Sequence, residues 1–274
     1  MSLLRGENKT SKRNTGDLIR VKCGKLCYVL PSDDFSHYVP FRPKILYGFL
    51  RIKRGDVVVD VGAFPGDFTL HASSLVGESG KVIAIEAHPW NFALLKANVI
   101  LNDLRNVILV NKAISDREGK ALLAGSGSGA HLSRSEGVEV KTTTLDKLLQ
   151  DLGLARADVI KLDIEGAEVA ALKGFQRLRE VREAAIETHG TSSFRYVTEC
   201  LPKKDFDIYV LNNSLLLKNI ARTILNLPDF VLTEFKSKFL AFKLLSKYIL
   251  GLENHPLPSC RSHQVVIVYI RRQR

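Results

Sequence analysis

The chain has 274 residues, 45% of them apolar and 25% charged. That length suits one α/β unit with an elaboration, or a domain plus a module, and that composition excludes a disordered chain, which would bury too little surface to offset its ordering entropy. The net charge of +11 sits at the ends: residues 1–25 hold seven Lys/Arg against two acids and residues 229–274 hold eight against three, so the middle is nearly neutral.

No run approaches the ~20 apolar residues of a membrane span, and the charged first 25 residues lack a secretory pattern. A cytoplasmic protein is expected. Cys23, Cys27, Cys200 and Cys260 are too dispersed for a disulfide framework, and Cys23/Cys27 have no second pair for a zinc site, so reduced thiols are expected.

The first strong signal is Val57–Gly62, an apolar β-branched run closed by glycine, which suits a central parallel strand buried on both faces. Val82–Glu86, Val107–Val110, Val159–Asp163 and Ala184–Glu187 repeat it. Helical patterns at Asp67–Val76, Pro89–Leu101, Leu145–Leu152 and Ala167–Leu172 intervene. This alternation predicts an α/β fold with a mostly parallel sheet and helices on both faces. Segment 112–137, with its Gly125–Gly129 run, reads as a mobile loop followed by an irregular strand. Phe206–Leu211 and Val265–Ile270 read as two last strands. Between them Phe235, Phe239, Phe242, Leu245 and Ile249 form a helical apolar stripe, with Lys236, Lys243 and Lys247 on another face. This helix either packs on the domain or meets a membrane surface or partner. If the final strand is antiparallel, the insert leaves and rejoins the sheet at the ligand-binding edge, as a lid or acceptor wall. The division expected is a basic extension with short strands (1–42), a core (43–211), a helical insert (212–262) and a final strand with a basic tail (263–274).

The turn after Val61 fails as a dinucleotide fingerprint. Phe64 stands where a second glycine must let backbone approach a pyrophosphate, and Asp67 competes with a diphosphate at the next helix start. Glu86, at the end of the following strand, stands where an acid receives a ribose diol. A ligand with adenosine but no phosphate, S-adenosylmethionine, satisfies both features.

The segments VVVDVGAFPGDFT, VIAIEAHPW, NVILVNKAIS, TTLDKLL, VIKLDIEGAE and AIETHG, in this order across residues 43–211, resemble the FkbM family of S-adenosylmethionine-dependent methyltransferases. The resemblance implies a seven-stranded class I methyltransferase (Rossmann-like) sheet with an antiparallel last strand, and methylation of a hydroxyl on a saccharide, polyketide or similar acceptor. It also implies a cofactor loop of Asp60, Gly62, Ala63, Gly66 and Thr69, Glu86 on the ribose, and Asn111 to Ala113 near the adenine.

A second constellation follows from alternation. Lys161, Asp163 and Glu165 share one face as their strand ends, and a lysine in an apolar strand needs an ionic partner, which Asp163 supplies. Glu165 or Glu168 can act simply as a helix N-terminal acid. The next strand delivers Glu187 and His189 to the same edge. Asp163, His189, Lys161 and Glu187 are therefore the candidate catalytic set. The reading expected is His189 or Asp163 as general base with no metal; the alternative is a divalent ion on Asp163, Glu187 and His189 that acidifies the acceptor hydroxyl, a case the imidazole weakens for magnesium. Rival functions are an RNA methyltransferase exploiting the basic ends, disfavoured by the acids at Asp163–Glu165 and by the few aromatics in those basic ends, and a non-catalytic module on the same fold. The partners expected are a small-molecule or glycan acceptor, with peripheral membrane contact through 235–250 as a further option.

Overall fold

The computed structural model describes residues 18–23, 25–31, 42–133, 135–201, 205–211 and 265–273. In chain order the elements are β1 (Leu18–Cys23), β2 (Leu26–Pro31), α1 (Arg42–Tyr47), β3 (Val57–Val61), α2 (Asp67–Val76), β4 (Lys81–Ile85), α3 (Pro89–Leu101) and β5 (Val107–Val110). There follow β6 (Ala113–Ile114), β7 (Gly119–Ala124), β8 (His131–Ser133), β9 (Val138–Thr143), α4 (Leu145–Asp151), β10 (Val159–Leu162), α5 (Glu168–Lys173), β11 (Glu183–His189), α6 (Thr191–Arg195), β12 (Phe206–Val210) and β13 (Val265–Arg272).

The main sheet has seven strands in the order β12-β13-β11-β10-β3-β4-β5. Strands β11, β10, β3, β4 and β5 run parallel, and β13 is antiparallel to both of its neighbours. The alternating pattern predicts such a mostly parallel α/β sheet, and the seven strands with an antiparallel last one are the Rossmann-like class I arrangement that the family resemblance implies. The order turns back between β3 and β10, which makes their carboxyl ends the switch point where a ligand crevice opens.

Strand β3 shows why the central runs are continuously apolar. Val59 and Val61 enter one core cluster with Leu148 and Leu149 of α4 and Leu172 of α5. Val58 enters the opposite cluster with Tyr47 of α1 and Phe68, Ala72 and Val76 of α2. Both faces are covered, so every position after the half-buried Val57 is buried.

Segment 112–137 differs from the expected mobile loop. It contributes to a second sheet of four strands, β6-β9-β7-β8. The glycine run is tied down because the Asn91 side chain of α3 both donates to the carbonyl of Gly127 and accepts its N–H, each at 2.9 Å. Leu123, Val140 and Ala113 then form a small core of their own.

Chain ends at the sheet place the insert's exit and return. Leu211 follows β12, and β13 begins at Val265, in register with His189 at the carboxyl end of β11. The chain therefore leaves and rejoins the sheet at the cavity edge. The expected insert 212–262, including its helix at 235–250, lies outside the described residues, as does most of the 1–42 extension apart from β1 and β2. Among the described residues, Cys27 and Cys200 are free thiols and no helix is long and apolar enough to cross a membrane.

Candidate active site

A cavity of about 350 Å³ lies along the carboxyl ends of the parallel strands, within the size range of small-ligand sites. Its wall follows the sheet. Glu86 comes after β4, Gly62 and Phe64 after β3, Asp163 and Glu165 after β10, and Glu187 and His189 from β11, while Ala113 and Leu123 close it from the second sheet.

Gly62 adopts φ +78°, and a Cβ there would stand 1.7 Å from the carbonyl oxygen of Asp163. Only glycine permits both the left-handed backbone and this approach. The ends of β3 and β10 consequently meet as one wall. Behind it Thr69 donates from Oγ1 to Asp60 Oδ2 at 2.6 Å, and both residues are fully buried. Burial pushes the Asp60 carboxyl up to about 6, against the lowering effect of Lys161 and Thr69.

Of the expected cofactor residues, Gly62, Glu86 and Ala113 line the cavity. Asp60 and Thr69 brace the turn from behind, Ala63 packs with Ala84, Leu95 and Val99, and Gly66 caps α2 at φ +107°. Asn111 is exposed and donates from Nδ2 to the carbonyls of Glu86 (2.8 Å) and Ala87 (3.0 Å). It shapes the loop after β4, and its neighbours Lys112 and Ala113 reach the cavity.

Glu86 is only 6% exposed, and its two oxygens accept N–H groups from Phe64 (3.3 Å) and His88 (2.9 Å). Burial raises its carboxyl to about 7, although both amide bonds favour the charged form. A buried acid on a cavity wall is a costly placement unless a ligand supplies donors, and the two hydroxyls of a ribose do so. Phe64 lines the same wall where a dinucleotide site needs glycine. Asp67, in the first turn of α2, accepts the Phe68 N–H at 2.8 Å and puts a carboxylate where a diphosphate would seek that amide. These residues fit an adenosyl ligand without phosphate.

The other end of the cavity is built on β10 and β11. Lys161 is buried, and its Nζ donates to the carbonyl of Gly62 at 2.7 Å with Asp163 Oδ2 at 3.4 Å and Asp60 Oδ1 at 3.5 Å. Burial alone would lower its pKa, but Asp163, Asp60 and Glu187 hold it above the ordinary lysine value. Lys161 thus locks the wall from behind, away from the cavity, which differs from the catalytic placement expected from its strand face.

Asp163, Glu187 and His189 do come together. His189 Nδ1 lies 2.8 Å from Glu168 Oε1, and Nε2 lies 3.5 Å from Glu165 Oε2 and 3.8 Å from Asp163 Oδ1. Burial opposes the charge on the imidazole, yet the bond to Glu168 and the charges of Glu165 and Asp163 raise it to about 9. At neutral pH it is a cation and a proton donor, which differs from the free base expected near neutrality. The carboxylates on this wall, Asp163, Glu165 and Glu187, are the groups left to accept a proton.

Sequence reasoning missed two supports. Glu168 is completely buried, and it accepts the Gly166 N–H at 2.9 Å besides holding His189. Its place in the first turn of α5 reads locally as a helix acid, and its partner arrives only when β11 pairs with β10. Tyr47, 140 residues from Glu187, donates its hydroxyl to Glu187 Oε1. No local spacing encodes that bond.

Among known proteins, the chain is 29% identical over 153 residues to the hexuronic acid methyltransferase AglP of Haloferax volcanii, covering 53% of this chain and 61% of that one. It is 39% identical over 61 residues to the ribosomal RNA large subunit methyltransferase E of Bdellovibrio bacteriovorus, covering 22% and 31%. The crystal structure of methyltransferase FkbM from Methylobacillus flagellatus KT superposes with a TM-score of 0.46 at 20% identity, covering 65% of this chain and 46% of that one. In each case the chain spans less than two thirds of the relative. Residues 60–209, more than half of the chain, match the Methyltransferase FkbM domain, and the chain therefore belongs to the FkbM family of S-adenosylmethionine-dependent methyltransferases.

Proposed function

We propose that the protein methylates a hydroxyl oxygen of a saccharide or a similarly hydroxylated small acceptor. The observation that carries this reading is the order of groups along the cavity. The ribose-type acid Glu86 stands after β4, whereas Asp163, Glu187 and His189 stand at the ends of β10 and β11, on the far side of β3. Three strand spacings separate β4 from β11, roughly 14 Å, enough for an adenosyl group at one end and an acceptor at the other. The hexuronic acid activity of the Haloferax volcanii relative is compatible with a sugar acceptor.

When bound, S-adenosylmethionine supplies a methyl group on a sulfonium, whose C–S electron pair leaves to sulfur as an acceptor lone pair forms the O–C bond. The protein aligns that exchange and excludes water, effects worth ~7–11 kcal/mol when geometry is good. Asp163, on the cavity wall, takes the proton that the hydroxyl loses, and the imidazolium of His189 orients the carboxylates around it. Glu187, fixed by Tyr47, holds a neighbouring acceptor hydroxyl. Asp163, Glu165 and Glu187 on this wall would repel a phosphate backbone, which disfavours RNA as the acceptor.

The test uses the labelled methyl donor with saccharide and lipid-linked glycan extracts, followed by NMR of the product. A methyl ether is expected. Asp163→Asn should lower turnover by ~10²–10⁴-fold while S-adenosylhomocysteine affinity stays within a fewfold. Full turnover in that variant, or a methylated nitrogen, contradicts the reading.

A further inference from the structure

Asp163, Glu187 and His189 each offer a ligand atom, and these atoms lie within 4.8 Å of one another on the cavity wall. They come from the ends of two adjacent parallel strands, so the sheet itself sets their separation. The side of the imidazole away from the cavity is occupied, because Nδ1 is tied to the completely buried Glu168 at 2.8 Å. Nε2 is thereby turned towards Asp163 and Glu165. Tyr47 does the corresponding work for Glu187 by bonding Oε1. An imidazole whose far nitrogen is fixed by a carboxylate, beside a carboxylate fixed by a hydroxyl, is the outer-shell arrangement that orients metal ligands.

The charge balance points the same way. Five carboxylates (Asp60, Asp163, Glu165, Glu168 and Glu187) gather around the side chains of Lys161 and His189. Lys161 is spent behind the wall on the Gly62 carbonyl. Oxygen methylation builds negative charge on the acceptor oxygen as its proton leaves, and here that charge would develop against Asp163, Glu165 and Glu187.

We infer that Asp163, Glu187 and His189 bind one divalent cation, which seats an acceptor bearing two adjacent oxygens, a vicinal diol or a hydroxy-carboxylate. The inference rests on the hydroxyl-methylation reading and narrows its acceptor class. A cation there would draw electron density from the acceptor oxygens and acidify the hydroxyl; with Asp163 taken up as a ligand, the proton passes instead to the carboxylate of Glu165, on the same wall and outside the ligand set. The oxygen lone pair then forms the bond to the methyl carbon, and the C–S pair returns to sulfur. One imidazole and two carboxylates suit manganese or zinc better than magnesium, which prefers an all-oxygen shell.

The experiment titrates Mn²⁺ into the chelator-treated full chain with S-adenosylhomocysteine present, reading free Mn²⁺ by its paramagnetic resonance signal. One ion per chain is expected. Asp163→Asn and Glu187→Gln should each weaken binding by at least tenfold, and Glu168→Gln by ~10–100-fold. Retained S-adenosylhomocysteine binding in the Asp163 and Glu187 variants shows that they are folded. No binding at millimolar Mn²⁺, or equal binding in both of those variants, overturns the site. Full-rate methyl-ether formation in excess chelator also overturns the cation while leaving hydroxyl methylation standing. Mn²⁺ bound as described, with nitrogen as the methylated atom, instead removes the hydroxyl reading.

Discussion

Lys161 shows how a single residue can be legible in type and misplaced in role. Its position within an apolar strand announces an ionic partner, and Asp163 supplies one. Its registered neighbour across the sheet, Asp60, adds a second, and the Gly62 carbonyl completes the set. Its contacts with Asp60 and the Gly62 carbonyl lie behind the wall, so the residue ties the turn after β3 to β10. Lys161→Met leaves two acids without their cation and should cost ~3–5 kcal/mol, read as a lowered urea midpoint. A change below ~1 kcal/mol would show that the ion cluster relaxes without it. Glu86 makes a second prediction at this scale. Its carboxyl is raised to about 7 from 4.5, so its contribution to the stability of the ligand-free chain is fully present below about 4.5 and lost as pH rises through about 7. The size of that loss is ~3 kcal/mol. Ribose hydroxyls donate to the charged form, so S-adenosylhomocysteine should bind more tightly as pH rises from 6 to 8, with a flatter dependence in Glu86→Gln. Equal slopes in the two proteins would remove Glu86 from the ribose.

At the scale of elements, strands β3, β4, β5, β10 and β11 were readable because burial on both faces demands apolar, β-branched runs that few other structures use. The second sheet was not readable. Strands β6 and β8 have two and three residues, β7 begins at a glycine, and half of β9 is exposed, so their pattern mimics a loop until Asn91 pins Gly127. The β1–β2 hairpin is attached in a comparable way. Asn98 accepts the Val29 N–H at 2.6 Å and donates to the carbonyls of Val29 and Pro65 at 2.9 and 2.8 Å. Asn102 accepts from Cys27 and donates to its carbonyl at 2.8 and 2.7 Å. Two amides one helical turn apart thus imitate a neighbouring strand along β2, and Asn98 also anchors the turn at Pro65. Asn98→Ala strands several backbone groups, each worth ~1–3 kcal/mol when buried. The expected result is at least ~2 kcal/mol lost in urea unfolding together with weaker S-adenosylhomocysteine binding. Wild-type values for both would mean the hairpin and turn are held by apolar packing alone.

For the whole molecule, the strand order and the antiparallel β13 explain why the site lies where it does: the switch between β3 and β10 opens the crevice, and the connections from β4, β10 and β11 fill it. A turn lacking the second glycine, followed by an acid at the next strand end, was enough to separate an adenosyl ligand from a dinucleotide. The Glu168–His189 and Tyr47–Glu187 pairs were not available from spacing, since each joins elements that meet only in the assembled sheet. The central claim is that this cavity holds the adenosyl group with Glu86 on its ribose. It is tested most directly by calorimetric titration of S-adenosylhomocysteine and of NAD into the full chain and into Glu86→Gln at pH 8. The account predicts one adenosyl ligand per chain, no heat from NAD, and a loss of ~1.5–3 kcal/mol in the variant from the missing charged acceptor. Unchanged affinity in Glu86→Gln, or NAD binding as tight as that of S-adenosylhomocysteine, would contradict it.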